Sequence, residues 1–398
     1  MPKAKPIDVH NIERLYKSSI RRLENASIPE ENKETIRKFR AHCVSDGLGK
    51  FRVVKYSHFL ISISKLLGKD FKDADRADIQ RVLEQVEAMP LSFWSKRDYR
   101  ITLKKFYRWL RDVEVDPPET RWIKVSIKTS SKMLPETLLT EEEILRLIQA
   151  APSDRDKALI ALLYETGCRA GELLGLTLAS IQFSDPGALV RLNGKTGSRQ
   201  VRIVFSAPYL SQWLDKHPRK NERDAPMWVC LNSWGPGTPM HYAALRKLLR
   251  ITAGIAKIKK RVNPHSFRHA RATQLSAKWS EAVMKEYLGW TQSSDMAATY
   301  VHLSGARMDS AVRELYGLSK PDEQKSKLEP HKCSRCGLIN EATNERCSRC
   351  TMPLSVNAAT QILKAVEEEK AKDKELLKLM WNDIQELKEL ITEKNRSV

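Results

Sequence analysis

Apolar residues recur at helical spacing through roughly the first 113 positions, as in Phe59, Ile63, Leu66 and Leu67 and again in Ile79, Val82, Leu83 and Val86. This pattern predicts an all-helical domain over residues 11–115. In its last helix Tyr99, Leu103, Phe106 and Leu110 share one face, while Arg97, Arg100, Lys104, Arg108 and Arg111 share the other. Such a basic stripe suits either a phosphate backbone or a solvated face above a packed one. Asp116-Pro117-Pro118 ends the helical pattern, so the polar stretch around residues 115–135 is read as a linker. Thr140, followed by three glutamates and then Ile144, Leu145, Leu147 and Ile148, starts a helix and with it a second domain, residues 136–318. Within that domain Ala158–Tyr164 reads as a core helix, and residues 188–192 and 199–205 flank Asn193-Gly194-Lys195-Thr196-Gly197-Ser198 as the arms of a β-hairpin. A second polar linker, 320–330, leads into a cysteine-rich segment, residues 329–355. The tail, 357–395, keeps 3-4 apolar spacing through Leu363, Val366, Leu377, Met380, Ile384, Leu387 and Ile391, broken by Lys370 and Asp373, which predicts a coiled-coil helix. The expected fold is mainly α with a small β-hairpin or sheet.

Charge narrows the function. The 398 residues carry a formal net charge of +20, and the tail from 357 onward holds 8 basic and 9 acidic residues, so the positive excess lies ahead of it. An excess of that size points to a polyanion, with DNA or RNA the default partner. No run approaches the roughly 18 apolar residues of a membrane helix, and the N-terminal residues do not lead into a secretion signal. Seven cysteines, an odd number, argue for a reducing, cytoplasmic setting. Four of them, Cys333, Cys336, Cys347 and Cys350, form two Cys-x-x-Cys pairs ten residues apart, the spacing of a zinc ribbon with one structural zinc. Lys332, Arg335, Arg346 and Arg349 would let such a ribbon touch nucleic acid, and a docking knob or spacer fits equally well.

The candidate chemistry lies in an ordered series: Thr166-Gly167-Cys168-Arg169-Ala170-Gly171-Glu172, Gly194-Lys195-Thr196-Gly197, His265-Ser266-Phe267-Arg268-His269, Leu288-Gly289-Trp290 and Ala298-Thr299-Tyr300-Val301-His302. Arginines give a forked donor set that matches a phosphate, and a tyrosine is a nucleophile that conserves phosphodiester bond energy in a covalent link. If Arg169 begins a helix, Glu172 lies one turn along and can hold its guanidinium.

Order and flanking residues resemble the catalytic domain of the tyrosine recombinases, the phage-integrase and Xer-type family, and the likeness covers roughly residues 11–318. The resemblance implies a helical core-binding domain before the catalytic one, and cutting and rejoining of DNA through a 3′-phosphotyrosine on Tyr300. It makes Arg169 and Arg268 phosphate ligands, Lys195 the acid for the leaving oxygen and His265 the acid or base, and gives Trp290 packing and a phosphate hydrogen bond. It also implies four protomers on two duplexes and no catalytic metal or nucleotide. Trp290 stands where many members carry histidine, Ser180 where many carry aspartate, and Trp290 to Tyr300 spans about one position more than usual. Tyr287, the other tyrosine close by in sequence, ranks far below Tyr300, and His269 and His302 are expected to be structural or to support the site residues from behind. The ribbon after such a domain is similar to arrangements in archaeal integrase-like proteins. Integration of a mobile element is the leading expectation, with multimer resolution second and a non-catalytic DNA-binding protein third.

Overall fold

The structure, a computed structural model, describes residues 8–125, 137–194, 197–231, 235–303, 316, 326 and 328–396. The chain forms two compact units: Lys5–Leu134 with His241–Ala243, and Pro135–Met240 with Ala244–Val398 and Met1–Ala4.

The smaller unit is helical: α1 (Ile12–Glu24), α2 (Glu30–Ser45), α3 (Lys50–Leu67), α4 (Arg76–Ala88), α5 (Phe93–Leu110) and the single turn α6 (Pro118–Arg121). Each apolar face predicted from spacing turns inward. Phe106 of α5 is fully buried in an aromatic cluster with Phe39, Phe71 and Trp109, and burying a ring of that size contributes roughly 2–3 kcal/mol. The opposite face of α5 differs from a free basic stripe. Arg100 pairs with Glu87, Lys104 and Arg108 with Asp116, and Arg111 with Glu119, while Arg97 donates to the Val125 carbonyl. Those partners lie largely on the stretch read as a linker, which packs down instead: Ile123 is buried, and Trp122 and Val125 lie against the helical core.

The larger unit opens with α7 (Glu141–Ala150), capped reciprocally by Thr140 and Glu143, and α8 (Asp154–Thr166), in which every residue from Ala158 to Thr166 is buried. A short α9 (Ala170–Leu174) leads to an antiparallel sheet ordered β1 (Ile181–Phe183), β2 (Ala188–Gly194), β3 (Gly197–Ile203). The β2–β3 register closes at Gly194 opposite Gly197, and Lys195 lies outside the described residues. Glu165, at the end of α8, accepts the backbone N–H groups of Val204, Phe205 and Ser206, which ties the exit of the hairpin to that helix. Then follow α10 (Ala207–Asp215), α11 (Tyr242–Ile255), α12 (Pro264–Ser276), α13 (Glu281–Leu288) and α14 (Met296–Leu303). A two-stranded ribbon, β4 (His331–Lys332) and β5 (Ile339–Asn340), precedes the long α15 (Val356–Arg396). Gln212 of α10 donates to the Glu341 carboxylate at 2.7 Å, so the ribbon rests against this unit, and burial raises the Glu341 carboxyl above its usual range.

Candidate active site

Three arginines from three elements meet at one helix end. Helix α8 stops at Gly167 in the left-handed conformation, and Arg169 becomes the N-cap of α9. Glu172 lies one turn on. Its carboxylate accepts the Arg169 backbone N–H at 3.0 Å, the Arg169 guanidinium at 2.9 Å and the Arg199 guanidinium of β3 at 2.8 Å. Burial works against the Glu172 charge, but Arg199 first and Arg169 second outweigh it and hold the carboxyl below its ordinary value. The approach is close: a Cβ at Gly194 would stand 2.4 Å from a Glu172 carboxylate oxygen, so only glycine lets the hairpin reach this carboxylate.

The C-terminus of α13 receives the other side of the same guanidiniums. Arg199 donates to the Tyr287 carbonyl at 2.8 Å, Arg268 to that of Leu288 at 2.8 Å, and Arg169 to that of Gly289 at 3.1 Å. These are carbonyls that an α-helix leaves unpaired at its negative end, which is where positive charge is favoured. Gly289 makes the turn possible with φ 65°. Arg268 also donates to the Gly167 carbonyl at 2.8 Å, and it is buried. Burial first and Arg169 second bring it down to about 10, still charged at neutral pH. Arg169 and Arg199 share the Glu172 carboxylate while Arg268 has only backbone carbonyls, so three guanidiniums meet one carboxylate's charge and leave a net positive locus suited to an oxyanion.

The candidate nucleophile adjoins that locus. The Arg268 guanidinium lies 5.2 Å from the centroid of the Trp290 ring, and the same indole stacks on the Tyr300 ring at 5.7 Å and 7°. The longer spacing between Trp290 and Tyr300 is taken up without separating them. Tyr300, on α14, is buried, and its hydroxyl is hydrogen-bonded to Nδ1 of His269. Burial pushes this phenol up to about 12, with Arg268 pulling it back. His269 is held below the usual histidine value by burial, then by His265 and Arg268. His265 lies one helical turn before it, ring centroids 6.2 Å apart, and is lowered by burial and by Arg268, Arg169 and Arg261. Tyr287 is partly buried and pushed up to about 12 by desolvation, yet its hydroxyl donates to the Glu165 backbone carbonyl at 2.9 Å.

Arg169, Arg268, His265, Trp290 and Tyr300 are therefore brought to one neighbourhood, with Lys195 and the His302 side chain outside the described residues. Arg199 and His269 are the additions. The signal for Arg199 was a charge on the face of β3 that it shares with buried Val201 and Ile203. For His269, expected to be structural or supporting, it was the i, i+4 relation to His265.

The four ribbon cysteines converge as well, with all their sulfurs within 4.8 Å of one another. The Cys333–Cys350 and Cys336–Cys347 pairs are each 3.5 Å apart, near the ~3.8 Å separation that a tetrahedral four-thiolate zinc imposes. Gly337 donates to the Cys333 carbonyl and Thr351 to the Cys347 carbonyl, so each pair sits on a tight turn. This cluster can hold a metal ion. Among the described residues no helix is long and apolar enough to cross a membrane.

The chain is similar to known proteins. The phage integrase family profile matches residues 137–307. Tyrosine recombinase XerD of Caulobacter vibrioides is 30% identical over 272 residues, which cover 64% of this chain and 85% of the relative. Tyrosine recombinase XerA of Pyrococcus furiosus is 27% identical over 282 residues, 70% of this chain and 93% of the relative. Among solved structures, XerH site-specific recombinase bound to a palindromic difH substrate superposes with a TM-score of 0.54 at 20% identity, over 77% of this chain and 95% of that one, a likeness of fold. A buried tyrosine beside a cluster of arginines, on this fold and with these relatives, has one conclusion: the chain belongs to the tyrosine recombinase family and is a site-specific recombinase.

Proposed function

We propose that Arg169 and Arg268 hold the scissile phosphate of double-stranded DNA, with Arg199 and Glu172 fixing their orientation, and that Tyr300 attacks the phosphorus. The observation that carries this reading is the unbroken contact path from Arg268 through Trp290 and Tyr300 to His269. In the attack the new bond joins the Tyr300 oxygen to phosphorus, and the phenolic proton passes to Nδ1 of neutral His269. The bond to the 5′ oxygen breaks, and that oxygen takes a proton from Lys195, in keeping with the family resemblance. His265 lies at the open side, where it hydrogen-bonds the phosphate or relays a proton, and the Trp290 indole packs the tyrosine and donates to a phosphate oxygen. The 3′-phosphotyrosine keeps the bond energy for rejoining, so no nucleotide cofactor is needed.

The four cysteines take a closed structural zinc, which supplies folding energy to a segment too small for its own core. Segments 11–115, 136–318, 329–355 and 357–395 serve as the helical DNA clamp, the catalytic domain, the ribbon and a coil, with the clamp extended to Val125 by the packing of Ile123. Four protomers on two duplexes in the cytoplasm complete the reading, supported by a solved lambda integrase tetramer bound to a Holliday junction at a TM-score of 0.50. Integration of an element and resolution of multimers use the same steps, and the Xer names of the relatives favour the second. The test mixes the protein with fragmented host and element DNA in EDTA, denatures, and probes for protein-linked DNA. An adduct absent in Tyr300→Phe supports the proposal; DNA retardation without any adduct supports a binding-only protein.

A further inference from the structure

Helix α15 runs for 41 residues, and its apolar side chains are uncovered by the rest of the described chain. Leu363, Val366, Leu377, Met380, Ile384 and Leu387 are 41–65% exposed, and Leu376 and Trp381 beside them are 59% and 60% exposed. A contiguous apolar stripe of this kind marks an interaction surface. With Leu363 at position a of a heptad, the a positions are Leu363, Lys370, Leu377 and Ile384, and the d positions are Val366, Asp373, Met380 and Leu387.

The flanking positions say what covers it. Ile362, Glu369, Leu376 and Asp383 fall at g, and Glu367, Lys374, Trp381 and Lys388 fall at e. In a parallel, in-register pair each g position meets the e position of the partner's next heptad. Glu369 then meets Lys374, Leu376 meets Trp381 and Asp383 meets Lys388, three complementary matches of the four along these heptads, the first pair, Ile362 with Glu367, being unmatched. An antiparallel pair sets g against g and e against e, which opposes acid to acid and lysine to lysine. Ile384 at a followed by Leu387 at d favours two strands, and Lys370 is a lone cation at an a position, a device that fixes register.

We propose that α15 pairs with α15 of a second copy of this chain as a parallel two-stranded coil, joining protomers in the absence of DNA. This goes beyond the recombination reading and does not rest on it. Protomers so joined reach paired sites at raised effective concentration.

Sedimentation equilibrium of the full chain without DNA, at micromolar concentration, tests the proposal. Dimers, or multiples of two, are expected, and Met380→Asp with Ile384→Asp gives monomers. Lys374→Glu with Lys388→Glu turns the two charged e–g matches repulsive and weakens association by about tenfold or more. Adding Glu369→Lys and Asp383→Lys restores it. The charged positions are exposed, and circular dichroism checks that the helix persists. A monomeric wild type overturns the proposal. Association that ignores the charge reversals overturns it too, because an antiparallel pair, a membrane surface or another seat on the chain would respond differently.

Discussion

Two arrays of basic side chains invite comparison, the stripe along α5 and the cluster at the end of α13. On α5 every cation of the stripe has a local anion or carbonyl within reach, Lys104 and Arg108 sharing Asp116, and the array fastens residues 116–125 to the helix. At α13 Arg169 and Arg199 share the carboxylate of Glu172, Arg268 pairs with no carboxylate, and all three lean on helix-terminal carbonyls, which orient them without neutralising them. Periodic positive charge in a sequence therefore does not identify an anion site. What identifies it is the balance of partners, and that balance is set by tertiary contacts.

Substitutions at the two arrays should diverge. Arg268→Ala should lower the rate of adduct formation by about 10³-fold, and it should cost roughly 2–4 kcal/mol of stability, since the Gly167 and Leu288 carbonyls lose a charged donor. Arg268→Lys keeps the charge but not the fork, and chemical denaturation with single-turnover kinetics will separate the two effects. Glu172→Gln, which removes the shared counterion, should slow cleavage by about 10–100-fold while DNA affinity holds steady in gel-shift titrations.

His269→Gln should slow cleavage by about 10²-fold and change the pH profile. In wild type the folded-state value of His269 lies below the ordinary 6.5, so the neutral acceptor is in place at pH 7 and the rate falls as pH drops through that lowered value. The same sign holds for stability: the contribution is present above 6.5 and is lost as pH falls through the folded-state value. In the variant the acid limb shrinks to whatever His265 supplies. Smallest of all, Arg108→Ala on α5 should change stability by no more than about 0.5 kcal/mol and leave cleavage untouched, because Arg108 is half exposed and Lys104 still holds Asp116. A large cleavage defect there would erase the contrast between the arrays.

How much was legible follows from distance along the chain. Helical faces, the Thr140 cap and the hairpin depend on neighbours within a few residues, and they appear in the sequence as periodicity and turn chemistry. Arg169, Arg268, Trp290 and Tyr300 were legible through their flanking motifs. Arg199 was not, since its partners Glu172 and Tyr287 lie 27 and 88 positions away. His269 was set aside because a helix shows which residues share its face, but not what packs on that face, and its partner Tyr300 is 31 positions on. The basic face of α5 was legible as a pattern and misleading as a surface, because Asp116, Glu119 and Ile123 sit in a stretch whose prolines read as a linker.

Tyr300, buried, and Tyr287, partly buried, are both phenols held near 12, and the partner of the hydroxyl separates them: an imidazole for one, a backbone carbonyl for the other. Peptide mapping of the DNA-linked protein trapped in EDTA decides between them directly. The link is expected on the peptide carrying Tyr300, retained in Tyr287→Phe and lost in Tyr300→Phe. A link on any other residue, or an adduct that survives Tyr300→Phe, would contradict the assignment of the nucleophile and with it the site built around Arg268 and Trp290.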